Sequence, residues 1–112
     1  MTDSEFQERV ESTLDQVEEY IENLADSLDL DADTGRAGNV LTLDFEGKGK
    51  LILNSQVANH ELWLAAKSGG FHYALRDEGW INTRTGENFE AHFVAILGQQ
   101  LGVACPEFKL ED

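Results

Sequence analysis

The stretch VLTLDFEGKGKLILN, residues 40–54, holds two alternating runs around a glycine-containing break. In 40–45, Leu41, Leu43 and Phe45 share one parity, and Val40, Thr42 and Asp44 share the other. In 50–54, Leu51 and Leu53 oppose Ile52 and Asn54. Period-two alternation puts successive side chains on opposite faces of a strand. EGKGK (46–50), with Gly47 and Gly49, supplies a turn short enough to join antiparallel neighbours. The pattern predicts a hairpin with one apolar face, and such a face needs a covering layer.

Further strands lie downstream. ELWLAAK (61–67) turns Leu62, Leu64 and Ala66 inward, leaving Trp63 and Ala65 on the outer face. KSGG (67–70) reads as the next turn, and FHYALR (71–76) places Phe71, Tyr73 and Leu75 in and His72, Ala74 and Arg76 out. WINTR (80–84) is a last short strand of unassigned facing. Upstream, LDLDAD (28–33) alternates leucine or alanine with aspartate and predicts a strand, followed by a loop at TGRAGN (34–39).

Helical stripes flank the strands. Phe6, Val10, Leu14, Val17, Ile21 and Leu24 step by three or four and predict a helix over 4–25, capped by Asp3 or Ser4. Phe89, Phe93, Ile96, Leu97 and Leu101 predict a second helix over 86–101, capped by Thr85 and ended by Gly102. The remaining tail, 103–112, keeps Val103, Phe108 and Leu110, either packed on the helices or loose. The fold class is α+β, a two-layer sandwich. Two terminal helices pack on one face of a five- to six-stranded antiparallel sheet, all in one domain over 1–112.

The charge is the unusual quantity, a formal net of −14. Residues 1–46 carry fourteen acidic and two basic side chains, while residues 47–112 carry eight and six. A nucleic acid or an anionic membrane needs a basic footprint, so neither is expected as a partner. Cations, or a protein with a basic patch, are. No apolar run is long enough to span a bilayer, and MTDSEFQERV has acid where a signal peptide needs a basic start. With the single Cys105, these features predict a reducing cytoplasm.

Catalytic signatures are lacking. GKGK (47–50) is not a phosphate-binding loop, no local pattern marks a nucleophile, and His60, His72 and His92 lie far apart. The expectation is a protein that is not an enzyme. Asp29, Asp31 and Asp33 match the first half of a calcium-binding EF-hand loop, but Thr34 stands where glycine is needed and Val40 where a bidentate glutamate is needed.

Two constellations remain. The first is an acidic ridge: Glu11, Asp15, Glu18, Glu19, Glu22, Asp26, Asp29, Asp31 and Asp33. Like charges four residues apart on the helix cost roughly 1–2 kcal/mol together, which is noticeable against a total stability of about 5–15 kcal/mol. Carboxylate oxygens suit hard cations, and without a cage such binding is weak and competed by other divalent cations. A plain solvated helix face is the alternative. The second constellation is the outer sheet face: Thr42, Asn54, Gln56, Trp63, His72 and Arg76. Tryptophan and arginine are typical interface anchors. Alternatively, Arg76 covers Trp63 in a cation–π contact.

The chain resembles the bacterial frataxin (CyaY) family. The features that carry the resemblance are DSEF (3–6), EE (18–19), LTLDFEGKGKLILN (41–54), N-x-Q (54–56), LWLAAKSGGFHY (62–73), WI (80–81) and TGENF (85–89). It covers about residues 1–102. It implies two helices on one face of an antiparallel sheet and a role in iron–sulfur cluster assembly. It also implies weak binding of Fe2+ and Fe3+ through Glu18, Glu19, Glu22, Asp29, Asp31 and Asp33, and docking on a cysteine desulfurase and a scaffold protein. Asn54, Gln56 and Trp63 stand at the family's sheet-face positions. The expected state is a monomer that oligomerises with excess iron. The chain departs from the family at Ala58, commonly proline, at Glu61, commonly glutamine, and at Asn23, commonly an acid.

Overall fold

A computed structural model describes residues 1–111. Helix α1 spans Asp3–Leu28 and starts from Thr2, one residue before the expected caps. The Thr2 hydroxyl accepts from the Glu5 amide at 3.1 Å, and the Glu5 carboxylate accepts from the Thr2 amide at 2.9 Å. Two otherwise orphaned donors are thereby satisfied. The stripe from Phe6 to Leu24 is buried throughout. The helix runs three residues beyond its expected end and stops at Asp29, which adopts the left-handed conformation with φ 54°.

Six strands follow: β1 Ala32–Ala37, β2 Val40–Phe45, β3 Gly49–Gln56, β4 Glu61–Ala66, β5 Gly69–Arg76 and β6 Gly79–Asn82. Each pairs antiparallel with the next, so the sheet is a meander in chain order with β1 at one edge and β6 at the other. The 28–33 strand and the 34–39 loop are thus both displaced. Leu28 closes α1, the strand occupies 32–37, and only Gly38 and Asn39 turn the chain. Gly38 has φ +60°, the backbone that a two-residue hairpin requires.

Leu41, Leu43, Phe45, Leu51, Leu53, Leu62, Leu64 and Tyr73 face the helices and are buried, as the alternation predicts. Ala74 departs from it: it lies on the outer parity yet is only 5% exposed. In β6, Trp80 and Asn82 face inward. The Trp80 indole donates to the Thr13 hydroxyl at 2.9 Å, tying the far edge strand to α1.

Helix α2 spans Phe89–Leu101. The predicted start at 86 with Thr85 as cap is incorrect: residues 86–88 are not helical and Asn88 stands at the cap. The Thr85 hydroxyl is used within the loop, donating to Glu87. After α2, Gly102 (φ 75°) turns the tail back across both helices. Gly98 lets it pass, since a Cβ there would stand 2.9 Å from the Val103 carbonyl oxygen. Phe108 is buried against Tyr20, Phe89 and Phe93. The Tyr20 hydroxyl donates to the Pro106 carbonyl at 2.6 Å, and burial pushes its pKa up to about 12. Gln16 closes the strap, exchanging two 2.7 Å hydrogen bonds with the Glu111 backbone.

Candidate functional site

On α1, the carboxylates of Glu11, Asp15, Glu18, Glu22 and Asp26 step by three or four and make one stripe. Edge strand β1 runs beside it; of its inward positions Ala32 packs against the core, while Thr34 and Arg36 are polar. The Thr34 hydroxyl donates to Glu18 at 3.2 Å. The Arg36 guanidinium meets Asp15 at 2.8 Å and Glu18 at 3.4 Å, and reaches the Glu11 carbonyl at 3.5 Å. Helix face and strand edge are therefore adjacent, and an internal cation holds the middle of the ridge. Glu22, Asp26 and Asp29 remain exposed at the C-terminal end of α1, where no basic residue offsets the helix dipole. Glu19 turns to the other side of the helix, into a groove with Tyr20 and the tail's Phe108.

The three aspartates of 29–33 do not form one strand row. Asp29 sits in the left-handed cap, Asp31 in the connector, and Asp33 in β1 facing away from the helices. Asp33 pairs in register with Asp44 of β2, and the Glu46 amide donates to the Asp31 carbonyl at 3.0 Å. Asp31, Asp33, Asp44 and Glu46 thus line a shallow concavity of about 540 Å³. Glu46 is held above its usual carboxylate range. The main cause is a hydrogen bond shared with the Asp31 carboxyl, followed by Asp31's charge, desolvation and Asp33's charge. The acidic surface therefore wraps edge strand β1, from the α1 side round to the outer sheet face. Among the described residues, no group of three or more His, Cys, Asp or Glu side chains is placed to hold a metal ion. Such a surface suits hydrated cations held by few carboxylates at a time.

The outer face carries the second constellation. Asn54, Trp63 and His72 form one cross-strand row, with Gln56 opposite Glu61 in the next. Trp63 does not meet Arg76, which lies four residues along β5, opposite Gly79. Its ring stacks instead on His72, with centroids 4.2 Å apart and planes 5° from parallel. The Trp63 indole donates to Glu61 at 2.8 Å, and the same carboxylate oxygen lies 3.8 Å from His72 Nδ1. Thr42, Ile52 and Ala65 make the adjoining row. The Trp63 row lies four residues from the Asp33–Asp44 row, about 13 Å along the strands, so one partner could touch both.

A family model described as the frataxin-like domain matches residues 1–103. The chain belongs to the frataxin-like family. Among its relatives is the iron–sulfur cluster assembly protein CyaY of Janthinobacterium sp. (strain Marseille), 48% identical over 104 residues, covering 92% of this chain and 93% of the relative. The CyaY of Bordetella avium is 48% identical over 103 residues, 92% of this chain and 94% of the relative. The frataxin of Psychromonas ingrahamii superimposes with a TM-score of 0.74 at 32% identity, over the whole of both chains. A trimeric frataxin from Saccharomyces cerevisiae, solved complexed with ferrous iron, shares the fold. Its TM-score is 0.72 at 23% identity, over 84% of this chain and 86% of that one.

In this chain, sequence reasoning missed Arg36, Asp44 and Glu46. Arg36 and Glu46 fell in segments read as a loop and a turn, and Asp44 was seen only as an outward residue. The available signal was register: a two-residue turn at Gly38 and Asn39 sets Asp33 opposite Asp44.

Proposed function

We propose that this protein handles iron for iron–sulfur cluster assembly, binding Fe2+ and Fe3+ weakly on the acidic surface around β1. The same surface docks on a basic patch of the cysteine desulfurase and scaffold machinery in the bacterial cytoplasm. The carrying observation is the uncaged carboxylate surface that spans two faces of one edge strand, in a chain whose relatives are iron–sulfur cluster assembly proteins. Glu11, Asp15, Glu18, Glu22, Asp26 and Asp29 supply its helix side. Asp31, Asp33, Asp44 and Glu46 supply its sheet side, and Glu19 flanks it. Asn54, Gln56, Trp63 and His72 form the second contact, with Arg76 at its rim. Iron is cargo here: shallow monodentate sites release it readily, and other divalent cations compete. The protein contributes binding and rate control rather than catalysis.

A second reading makes the ridge a protein-docking surface with no iron delivery. Arg36 favours it, because Asp15 and Glu18 already hold a guanidinium. Binding of the desulfurase, measured with and without Fe2+ for the native protein and a Glu18→Lys/Glu22→Lys variant, tests both. Charge reversal is expected to weaken binding at least about tenfold and to flatten its salt dependence. Unchanged affinity at low salt contradicts docking through the ridge. An effect of Fe2+ that survives excess Mg2+ supports iron handling, and no effect of Fe2+ supports pure docking.

A further inference from the structure

We propose that the groove between β5, the 82–87 loop and the first turn of α2 binds a small anion carrying a carboxylate or phosphate group. Asn82, at the base of this groove, is 5% exposed. Its Oδ1 accepts from the Arg84 amide at 2.8 Å and the Thr85 amide at 3.1 Å. Those two donors fix which end of the side chain is oxygen. The Asn82 amide nitrogen must therefore face His92 Nδ1, 3.5 Å away. Nδ1 is then an acceptor, and the fully buried Tyr73 hydroxyl donates to it at 2.6 Å. Burial also holds the Tyr73 hydroxyl well above its usual range, so that proton stays on oxygen. With Nδ1 occupied, the imidazole proton sits on Nε2.

His92 Nε2 has no protein partner, and Arg36 Nε is the one buried polar side-chain atom without a hydrogen bond among the described residues. Nε2 is therefore open to the groove that His92 lines, a space of about 440 Å³. That volume falls within the range of small-molecule sites. Phe71 forms an apolar wall, its ring edge-on to His92 at 4.8 Å. His72, Thr83, Arg84 and Thr85 complete the rim, and among the described residues no carboxylate lines it, Glu87 standing behind the Thr85 hydroxyl.

The loop is held ready. Thr83 N donates to the His72 carbonyl at 2.9 Å, Gly86 N to the Asn82 carbonyl at 3.0 Å, and Asn82 N to the Glu87 carbonyl at 2.8 Å. The Thr85 hydroxyl is already spent on Glu87, which leaves the His92 Nε2–H, the Arg84 guanidinium and the Thr83 hydroxyl as the donors available on this partly apolar groove, a set that matches an anionic oxygen ligand. None of these groups belongs to the acidic surface, and His72 alone is shared with the Trp63 contact, so loss of anion binding leaves iron binding untouched.

The test is a titration of the intact protein with inorganic phosphate and, separately, citrate, at ionic strength matched with sodium chloride. It is followed by amide resonances and the His92 imidazole signals. Saturable shifts confined to His92, Phe71 and residues 83–86 are expected with at least one anion, and whichever responds assigns the ligand class. Arg84→Gln, an exposed loop change that leaves the core intact, is expected to weaken binding at least about fivefold, as is His92→Leu. No saturable shift at these residues, or equal binding by Arg84→Gln, overturns the proposal.

Discussion

In the proposed function, Arg36 is the residue that sets the ridge's cation affinity. Its guanidinium already occupies the space between Asp15 and Glu18 that an incoming cation would use. Partly exposed ion pairs of this kind contribute only about 0.2–1 kcal/mol each. Arg36→Gln is accordingly expected to lower stability by no more than about 1–2 kcal/mol in urea unfolding. It should also raise Fe2+ or Mn2+ affinity on the α1 side severalfold; unchanged affinity would show that Arg36 does not compete. Glu46 makes a second residue-scale case. Its proton is held more tightly folded than unfolded, so its contribution is present at low pH and lost as pH rises through its raised folded value. In a carboxyl NMR titration, Asp31→Asn is expected to bring the Glu46 midpoint down, and a divalent cation should do the same. A Glu46 midpoint indifferent to both would contradict the shared carboxylate surface.

At the scale of elements, hydrophobic period carried most of the reading. β2 to β5, Ala74 apart, follow the period of two and both helical stripes the period of 3.6 that core-facing elements show. β1 escaped because its inward residues, Thr34 and Arg36, face carboxylates on α1 instead of the apolar core. Beyond Ala32, a strand used that way has no apolar alternation to detect. The same local polarity hid the end of α1, where an aspartate rather than a glycine takes the left-handed cap. The start of α2 was misplaced because Asn82 captures the amides of Arg84 and Thr85, which holds the chain out of the helix. The acidic residues themselves were legible as a ridge, but their division into helix-side and sheet-side groups depends on register. The tail was ambiguous in sequence, since Val103, Phe108 and Leu110 are its only large apolar residues, which suits either packing or disorder. Phe108, 6% exposed among Tyr20, Phe89 and Phe93, settles it. Phe108→Ala is expected to cost about 3 kcal/mol or more in urea unfolding; a loss under about 1 kcal/mol would mean that the strap adds little.

Across the whole molecule, acid is concentrated in the first 46 residues, and the fold gathers it along one edge of the sheet. The open outer face continues from that edge to Trp63 and His72, whose stacked rings sit above Glu61. One molecule therefore presents carboxylates and an aromatic anchor on adjoining surfaces, an arrangement suited to steering a basic partner by charge and then fixing it by contact. The central claim is that the wrapped carboxylate surface is where iron sits. Its most direct test is an anaerobic Fe2+ titration followed by amide resonances. Paramagnetic broadening is expected along residues 11–33 and at Asp44 and Glu46, reversed by chelation and sparing α2. Broadening centred elsewhere, or none at saturating iron, would contradict it.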